Sequence, residues 1–151
     1  DFIKKESSNK NIYKFYIAHV DGLLECNSKK FKAYINTDKN KALSNVSDKY
    51  IKGYSEIATT ITTIKTFDES SIVEVMITSG KTHQIRAHLA YLGHPILGDG
   101  KYNKNKNYNA LYKKQALIAY KIKIFTDNEK FNYLNNIDWS IDYKTFIKWN
   151  K

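Results

Sequence analysis

Apolar and polar residues alternate with a period of two over much of the chain, the pattern of half-buried β-strands. Tyr13, Phe15, Ile17 and His19 alternate with Lys14, Tyr16, Ala18 and Val20. Asp21-Gly22 follows. Both central positions of a two-residue turn favour positive φ, so this pair predicts a hairpin, with Leu23-Leu24-Glu25-Cys26 returning. Lys32 to Asn36 is a short apolar piece, and the polar stretch Thr37 to Gly53 reads as loop. Ser55 to Lys65, rich in Ile and Thr, predicts a strand. Ser71 to Thr78 (SIVEVMIT) is the clearest strand, and its length and β-branching predict a buried one.

The period changes once in the middle of the chain. Ile85, Leu89 and Leu92 recur at i, i+4 and i+7 and make one apolar stripe of a helix. Thr82 is the candidate N-cap. Gly93 suits the left-handed position at the helix end, and Pro95 stops any continuation. Strand, tight turn at Ser79-Gly80, short helix and glycine stop therefore follow in order. Past the Gly98-Asp99-Gly100 turn and an Asn/Lys-rich loop, Gln115 to Phe125 alternates again, with Lys121 and Lys123 outward. From about Asp142 to Trp149 the pattern predicts a last helix, with Ile141, Phe146 and Trp149 turned inward. Many strands and few short helices predict an α+β fold on a mixed, largely antiparallel sheet. The length suits a single domain spanning residues 1–151.

Composition removes several classes. One Cys excludes an internal disulfide framework and a Cys-based zinc site. No stretch approaches the ~20 apolar residues of a membrane span. The chain starts at Asp1 with no Met and no charged-then-apolar signal segment, so it reads as a piece of something longer. Its net charge is +10, with a pI near 9.5. That is the footprint of a nucleic-acid binder, but Lys and Asn are abundant throughout, and a Lys-rich surface also serves solubility. Charge alone leaves both readings open.

The 25 cations are more informative when split: all are Lys except Arg86. The span from Gly80 to Gly100 holds that Arg, the only Pro, four of the six Gly and three of the four His. A planar guanidinium offers a fixed fork of donors for a carboxylate or phosphate and stays charged when buried. Around it, Lys81, Thr82, His83 and Gln84 sit where a helix N-terminus after a glycine turn would present free N–H groups to an anion. The alternative is a buried Arg tying two loops together. His83 and His88 are five apart and diverge by about 140° around a helix, so they do not make the i, i+4 pair of a metal site. Cys26 reads as a small buried apolar residue. Asp99 is the tempting acid of the region, although a turn residue capping its own backbone is the simpler reading.

The run Thr78-Ser79-Gly80-Lys81-Thr82-His83-Gln84-Ile85-Arg86-Ala87-His88-Leu89, then Gly93-His94-Pro95-Ile96-Leu97-Gly98-Asp99 and Tyr102, resembles the RluA-type family of RNA pseudouridine synthases. Lys14 to Gly22 resembles that family's strand carrying an active-site tyrosine, and Gln115 to Tyr120 is a weaker third match. The resemblance implies the pseudouridine synthase fold in part, and isomerisation of uridine to its C-glycoside in RNA, with large-subunit ribosomal RNA as substrate. It implies no cofactor and no metal. An aspartate acts at the ribose, and the base leaves through nitrogen, turns and rejoins through carbon. Tyr16 matches the tyrosine that stacks on the base, Arg86 the arginine that pairs with the catalytic aspartate, and Leu117 an apolar residue of the base pocket. Lys81, Thr82, His83 and Gln84 would contact RNA. The partner is structured ribosomal RNA, met by a monomeric, cytoplasmic enzyme with no membrane attachment.

Departures from the pattern carry expectations too. The family's nucleophile lies in an Arg-Leu-Asp-type motif before the tyrosine strand, and residues 1–15 hold only Asp1. The chain then corresponds to the C-terminal portion of a catalytic domain and is expected to be inactive alone. Lys81 stands where Arg is common, Asn103 where Gly is usual and Ile118 where His is usual. A non-catalytic RNA-binding module on the same fold is the alternative function.

Overall fold

The computed structural model describes residues 2–8, 11–38, 40–105, 107 and 111–145, with only the backbone of Ser7, Ser8 and Thr145. After a first helix α1 (Phe2–Ser8), strands β1 (Ile12–Asp21), β2 (Lys29–Asp38), β3 (Leu43–Ser47), β4 (Ser55–Thr66) and β5 (Ser70–Ile77) precede helix α2 (Gln84–Tyr91). Strand β6 (Leu117–Ile124), a 3-10 helix (Glu129–Asn136), strand β7 (Trp139–Ser140) and a 3-10 turn (Tyr143–Thr145) complete the order. The seven strands form one sheet in the order β3-β2-β4-β5-β1-β6-β7, each neighbour antiparallel to the next.

The β-branched strand predicted as buried lies at the centre, as β5 between β4 and β1. Side chains of a strand alternate between faces. One face carries Ala18 and Val20 of β1, Val73, Val75 and Ile77 of β5 and Ile61 of β4, and Ile85 and Leu89 of α2 pack on it. Burying such aliphatic side chains is worth about 1.5–3 kcal/mol each. Ala87 of α2 reaches a second cluster with Ala33, Ile35 and Ile57, and Ile12, Ile124 and Leu134 form a third. No helix among the described residues is long and apolar enough to cross a membrane.

Strand β6 carries one bulge. Phe15 pairs with Lys121 and Tyr16 with Ala119, so Tyr120 is the extra residue. Leu117 and Ala119 therefore share a face with Ile122 despite the odd spacing. Tyr120 points to the other face, where its hydroxyl meets Glu74. That carboxylate, together with burial, raises the Tyr120 phenol well above its ordinary pKa, burial being the larger cause.

Four expectations fail. No hairpin follows Asp21-Gly22. Gly22 does take a positive φ of 79°, but β1 pairs with β5 and β6. Residues 22–28 instead cross the end of β5 and β4 to reach β2. Side chains of the crossed strands satisfy them: Leu24 N–H donates to Ser71 Oγ and Cys26 N–H to Thr63 Oγ1. The stretch from Thr37 is not all loop either, since β2 runs to Asp38 and β3 returns from Leu43. The Asp38 carboxylate accepts the N–H groups of Asn40 and Lys41 and shapes that turn. The helix starts at Gln84 with His83, not Thr82, as N-cap. His83 adopts φ 56°, ψ 16° and makes no side-chain cap. At the other end Gly93, φ 88°, takes the left-handed position as expected. In the tail, Ile141 is largely exposed rather than inward, Tyr143–Thr145 is a single 3-10 turn, and Phe146 and Trp149 lie outside the described residues.

Candidate active site

A cleft of about 340 Å³ opens where β1, the β5–α2 turn, α2 and the start of β6 meet. It is lined by Tyr16, Lys81, His83, Gln84, Arg86 and Leu117, among others. Six of the seven residues singled out in the sequence thus converge on one hollow. Thr82 does not line it; its carbonyl accepts a hydrogen bond from Ser44 Oγ.

Tyr16 stands in mid-strand, paired with Val75 on one side and Ala119 on the other. Burial raises its phenol above the ordinary tyrosine value, so it is a neutral O–H donor beside an aromatic face. Leu117, two residues before Ala119, adds an apolar wall. Gln84 is spent on structure. Its carbonyl accepts from Ser79 Oγ and, at 3.3 Å, from Lys81 N–H, and its amide donates to Ala58 O. This one buried side chain fastens the β5–α2 turn to β4. Lys81 is exposed at the rim.

Arg86 has a partner within the chain. Nε donates to Asp99 Oδ2 at 2.7 Å and Nη2 to Oδ1 at 2.6 Å, a bidentate fork. The Asp99 side chain is fully buried and that of Arg86 is 16% exposed. Burial alone would push the Asp99 carboxyl up. The Arg86 fork and the N–H groups of Lys101 and Tyr102 outweigh it and hold the group below the ordinary carboxylate range. Asp99 is therefore both the turn-capping residue that the sequence suggests and the counter-ion of Arg86, which no local pattern announces. With Nε and one N–H of Nη2 committed, Nη1 and the second N–H of Nη2 are left for anything entering the cleft.

Tyr102 supports this pair. Its ring centroid lies 5.2 Å from Arg86 Cζ. Its hydroxyl accepts the Ser44 N–H at 2.8 Å and meets His83 Nδ1 at 3.0 Å. A phenol that donates to Nδ1 holds the neutral ring of His83 with its N–H on Nε2. Burial first, then the nearby Arg86 and Lys101 charges, lower the His83 pKa and favour the neutral ring. In the sequence, Tyr102 is marked only by its place after the Gly98-Asp99 turn. The physical signal was the lone Arg, which needs a supporting face as well as a counter-ion.

The other histidines do not reach the cleft. His88 Nδ1 meets Thr59 Oγ1 at 2.9 Å, and both are buried. His19 lies between Ser70 Oγ at 2.9 Å and the Tyr112 hydroxyl at 3.2 Å. Burial lowers both rings to about 4. His94 Nδ1 meets Asp21 O. No group of three His, Cys, Asp or Glu side chains suited to a metal ion occurs among the described residues. Cys26 is partly buried against the main core cluster, and burial raises its thiol pKa.

Gly98 fixes where Asp99 enters. It has φ 73°, and a Cβ there would collide with Lys114 O and with Tyr112 Cβ at 2.5 Å. Either constraint alone favours glycine. The segment is sewn in on both sides: Leu97 N–H donates to His19 O and Ala116 N–H to Leu97 O.

Comparisons with known proteins identify the family of the chain. Residues 3–91 match the RNA pseudouridylate synthase family. An RNA pseudouridine synthase of Helicobacter pylori is 37% identical over 122 residues, covering 80% of this chain and 47% of its own. Ribosomal large subunit pseudouridine synthase D of Borreliella burgdorferi is 29% identical over 134 residues, 87% of this chain and 39% of its own. The chain thus spans about half the length, or less, of these relatives. Human RNA Pseudouridylate Synthase Domain Containing 1 shares the fold, with a TM-score of 0.66 at 21% identity over 83% of this chain and 55% of that one. The match over residues 3–91, on a sheet that brings Tyr16, Arg86 and Leu117 to one cleft, shows that the chain belongs to the RluA-type family of RNA pseudouridine synthases.

Proposed function

We propose that this chain supplies the tyrosine- and arginine-bearing half of a site that isomerises uridine to pseudouridine in RNA, with large-subunit ribosomal RNA as substrate. The convergence of Tyr16, Arg86 and Leu117 on a cleft of nucleoside size carries the reading. The extruded uracil lies against Tyr16 and Leu117. His83 Nε2–H and Lys81 meet its polar edge and phosphate. Arg86, held by Asp99, keeps Nη1 for the carboxylate that attacks the ribose. Positioning of this kind, with donors fixed before the substrate arrives, is what such chemistry draws on.

No carboxylate lines the cleft among the described residues, and both oxygens of Asp99 are taken. The chain alone is therefore expected to bind RNA without turnover, which is also how a non-catalytic module would behave. A fusion separates the two. The chain preceded by the N-terminal half of the Helicobacter pylori relative should release tritium from RNA containing 5-tritiated uridine, and the chain alone should not. Turnover by the chain alone would refute the incomplete site, and a folded, RNA-binding fusion without turnover would favour the module. In the active fusion, Arg86→Lys should lose most turnover while RNA affinity changes little.

A further inference from the structure

Tyr16 lines a second hollow as well, of about 490 Å³. Lys14, Ile122, Trp139 and Ile141 also border it. Lys14 pairs with Ile77 on one side and Ile122 on the other, and Ile122 pairs with Trp139. Directly opposed residues share a face. Ile77, Lys14, Ile122 and Trp139 thus form a row across four strands on the cleft side, with Trp139 two strand spacings, ~10 Å, from β1. Ile77 lines the first cleft. A Cβ on Gly80 would lie 3.3 Å from Lys14 Nζ, so the ammonium sits at the border between the two hollows. Among the described residues no carboxylate pairs with it. Beyond it, Trp139 is 41% and Ile141 49% exposed.

We propose that this second hollow is the subsite for the nucleotide next to the target uridine in single-stranded RNA, with Lys14 on the connecting phosphate and Trp139 stacked on the neighbouring base. The proposal rests on the uridine reading of the first cleft. A strand whose uridine occupies that cleft must leave it past Tyr16, carrying a phosphate. The cation at that exit is Lys14, and the next open aromatic face along the row is Trp139. Stacking on an indole accepts any base, so the subsite would add affinity without narrowing sequence.

The test is binding of a five-nucleotide single-stranded RNA with a central uridine to the 151-residue chain. Two probes carry 2-aminopurine on either the 5′ or the 3′ side of that uridine. One of them should lose fluorescence on binding. Trp139→Ala should abolish that quench and weaken binding at least about fivefold, while Trp139→Phe keeps affinity to within about threefold. Lys14→Ala should lower the salt dependence of binding by about one phosphate contact. His83→Ala should weaken binding but leave the quench of the bound probe. Normal binding with neither probe quenched, or Trp139→Ala and Lys14→Ala indistinguishable from the parent chain, overturns the subsite alone. Failure of the parent chain to bind the pentamer at low salt overturns the uridine cleft with it.

Discussion

His83 and His88 belong to one short motif, one as the N-cap of α2 and the other inside the helix, and they meet opposite surroundings. His88 lies inside α2, whereas His83 stands just before it in the left-handed conformation. His88 ends in the core against Thr59, its ring neutral and closed to solvent. His83 ends at the cleft, tethered at one nitrogen by Tyr102 and beside the charged Arg86–Asp99 pair. Rarity gathered these residues in one stretch, but the helix and its left-handed N-cap send them to different surroundings. Those on the inner side hold the framework, and those on the cleft side are available for chemistry.

The strongest way to break that division is through the ion pair under the cleft side. Asp99→Ala leaves a largely buried guanidinium without its counter-ion and should cost about 3–5 kcal/mol, read from urea unfolding. A loss below about 1 kcal/mol would mean that Arg86 reaches water and that the cleft side is not built on the pair. Acid comes next. His19 and His88 have folded pKa values near 4 against an ordinary 6.5. Their contribution is fully present above pH 6.5 and is lost as pH falls toward 4. By pH 5 each should have cost about 2 kcal/mol. His88→Gln should remove close to half of that loss and His83→Gln much less; equal effects in pH-dependent unfolding would erase the contrast between them.

Smaller effects test the cleft side through RNA. His83→Ala, measured at pH 7.5 by fluorescence anisotropy, should weaken oligonucleotide binding by about two- to tenfold, the worth of one hydrogen bond. It should barely move stability. Lys81→Ala should reduce the salt slope of binding by about one and matter little at high salt. A slope that stays the same would put Lys81 off the phosphate path.

The same distinction explains what the sequence disclosed. β1, β4 and β5 were legible because they are long runs rich in Ile, Val, Thr and aromatic residues. β3 was not, since its buried position is Ser44, whose partners are Thr37 Oγ1, the Thr82 carbonyl and the Tyr102 hydroxyl. A strand made buriable by hydrogen bonds leaves no hydrophobic trace. Asp21-Gly22 has the residues of a hairpin, but pairing is decided by distant strands, and β5 takes the place beside β1. At the site, Arg86, Tyr16 and Leu117 stood out through rarity and motif. The pairing of Asp99 with Arg86 was not legible, because a contact 13 residues away has no local signature. Lys14 and Trp139 carry no signal of their own for another reason. One is among 24 lysines, and the other lies in a two-residue strand whose face is set only by its neighbours.

The bulge at Tyr120 makes β6 a strand with two phases. Above it, Ile122 and Ile124 face the cluster around Ile12 and Leu134. Below it, Leu117 and Ala119 face Tyr16. A single inserted residue lets one strand serve both without interrupting its pairing to β1. Straightening the bulge would force a choice. With Ile122 and Ile124 still anchored, pairing Tyr120 directly opposite Tyr16 would swing Leu117 to the far side of the sheet and bring Ile118 round in its place. The wall of the cleft is in this sense a matter of register: its identity depends on which residue of β6 is left unpaired.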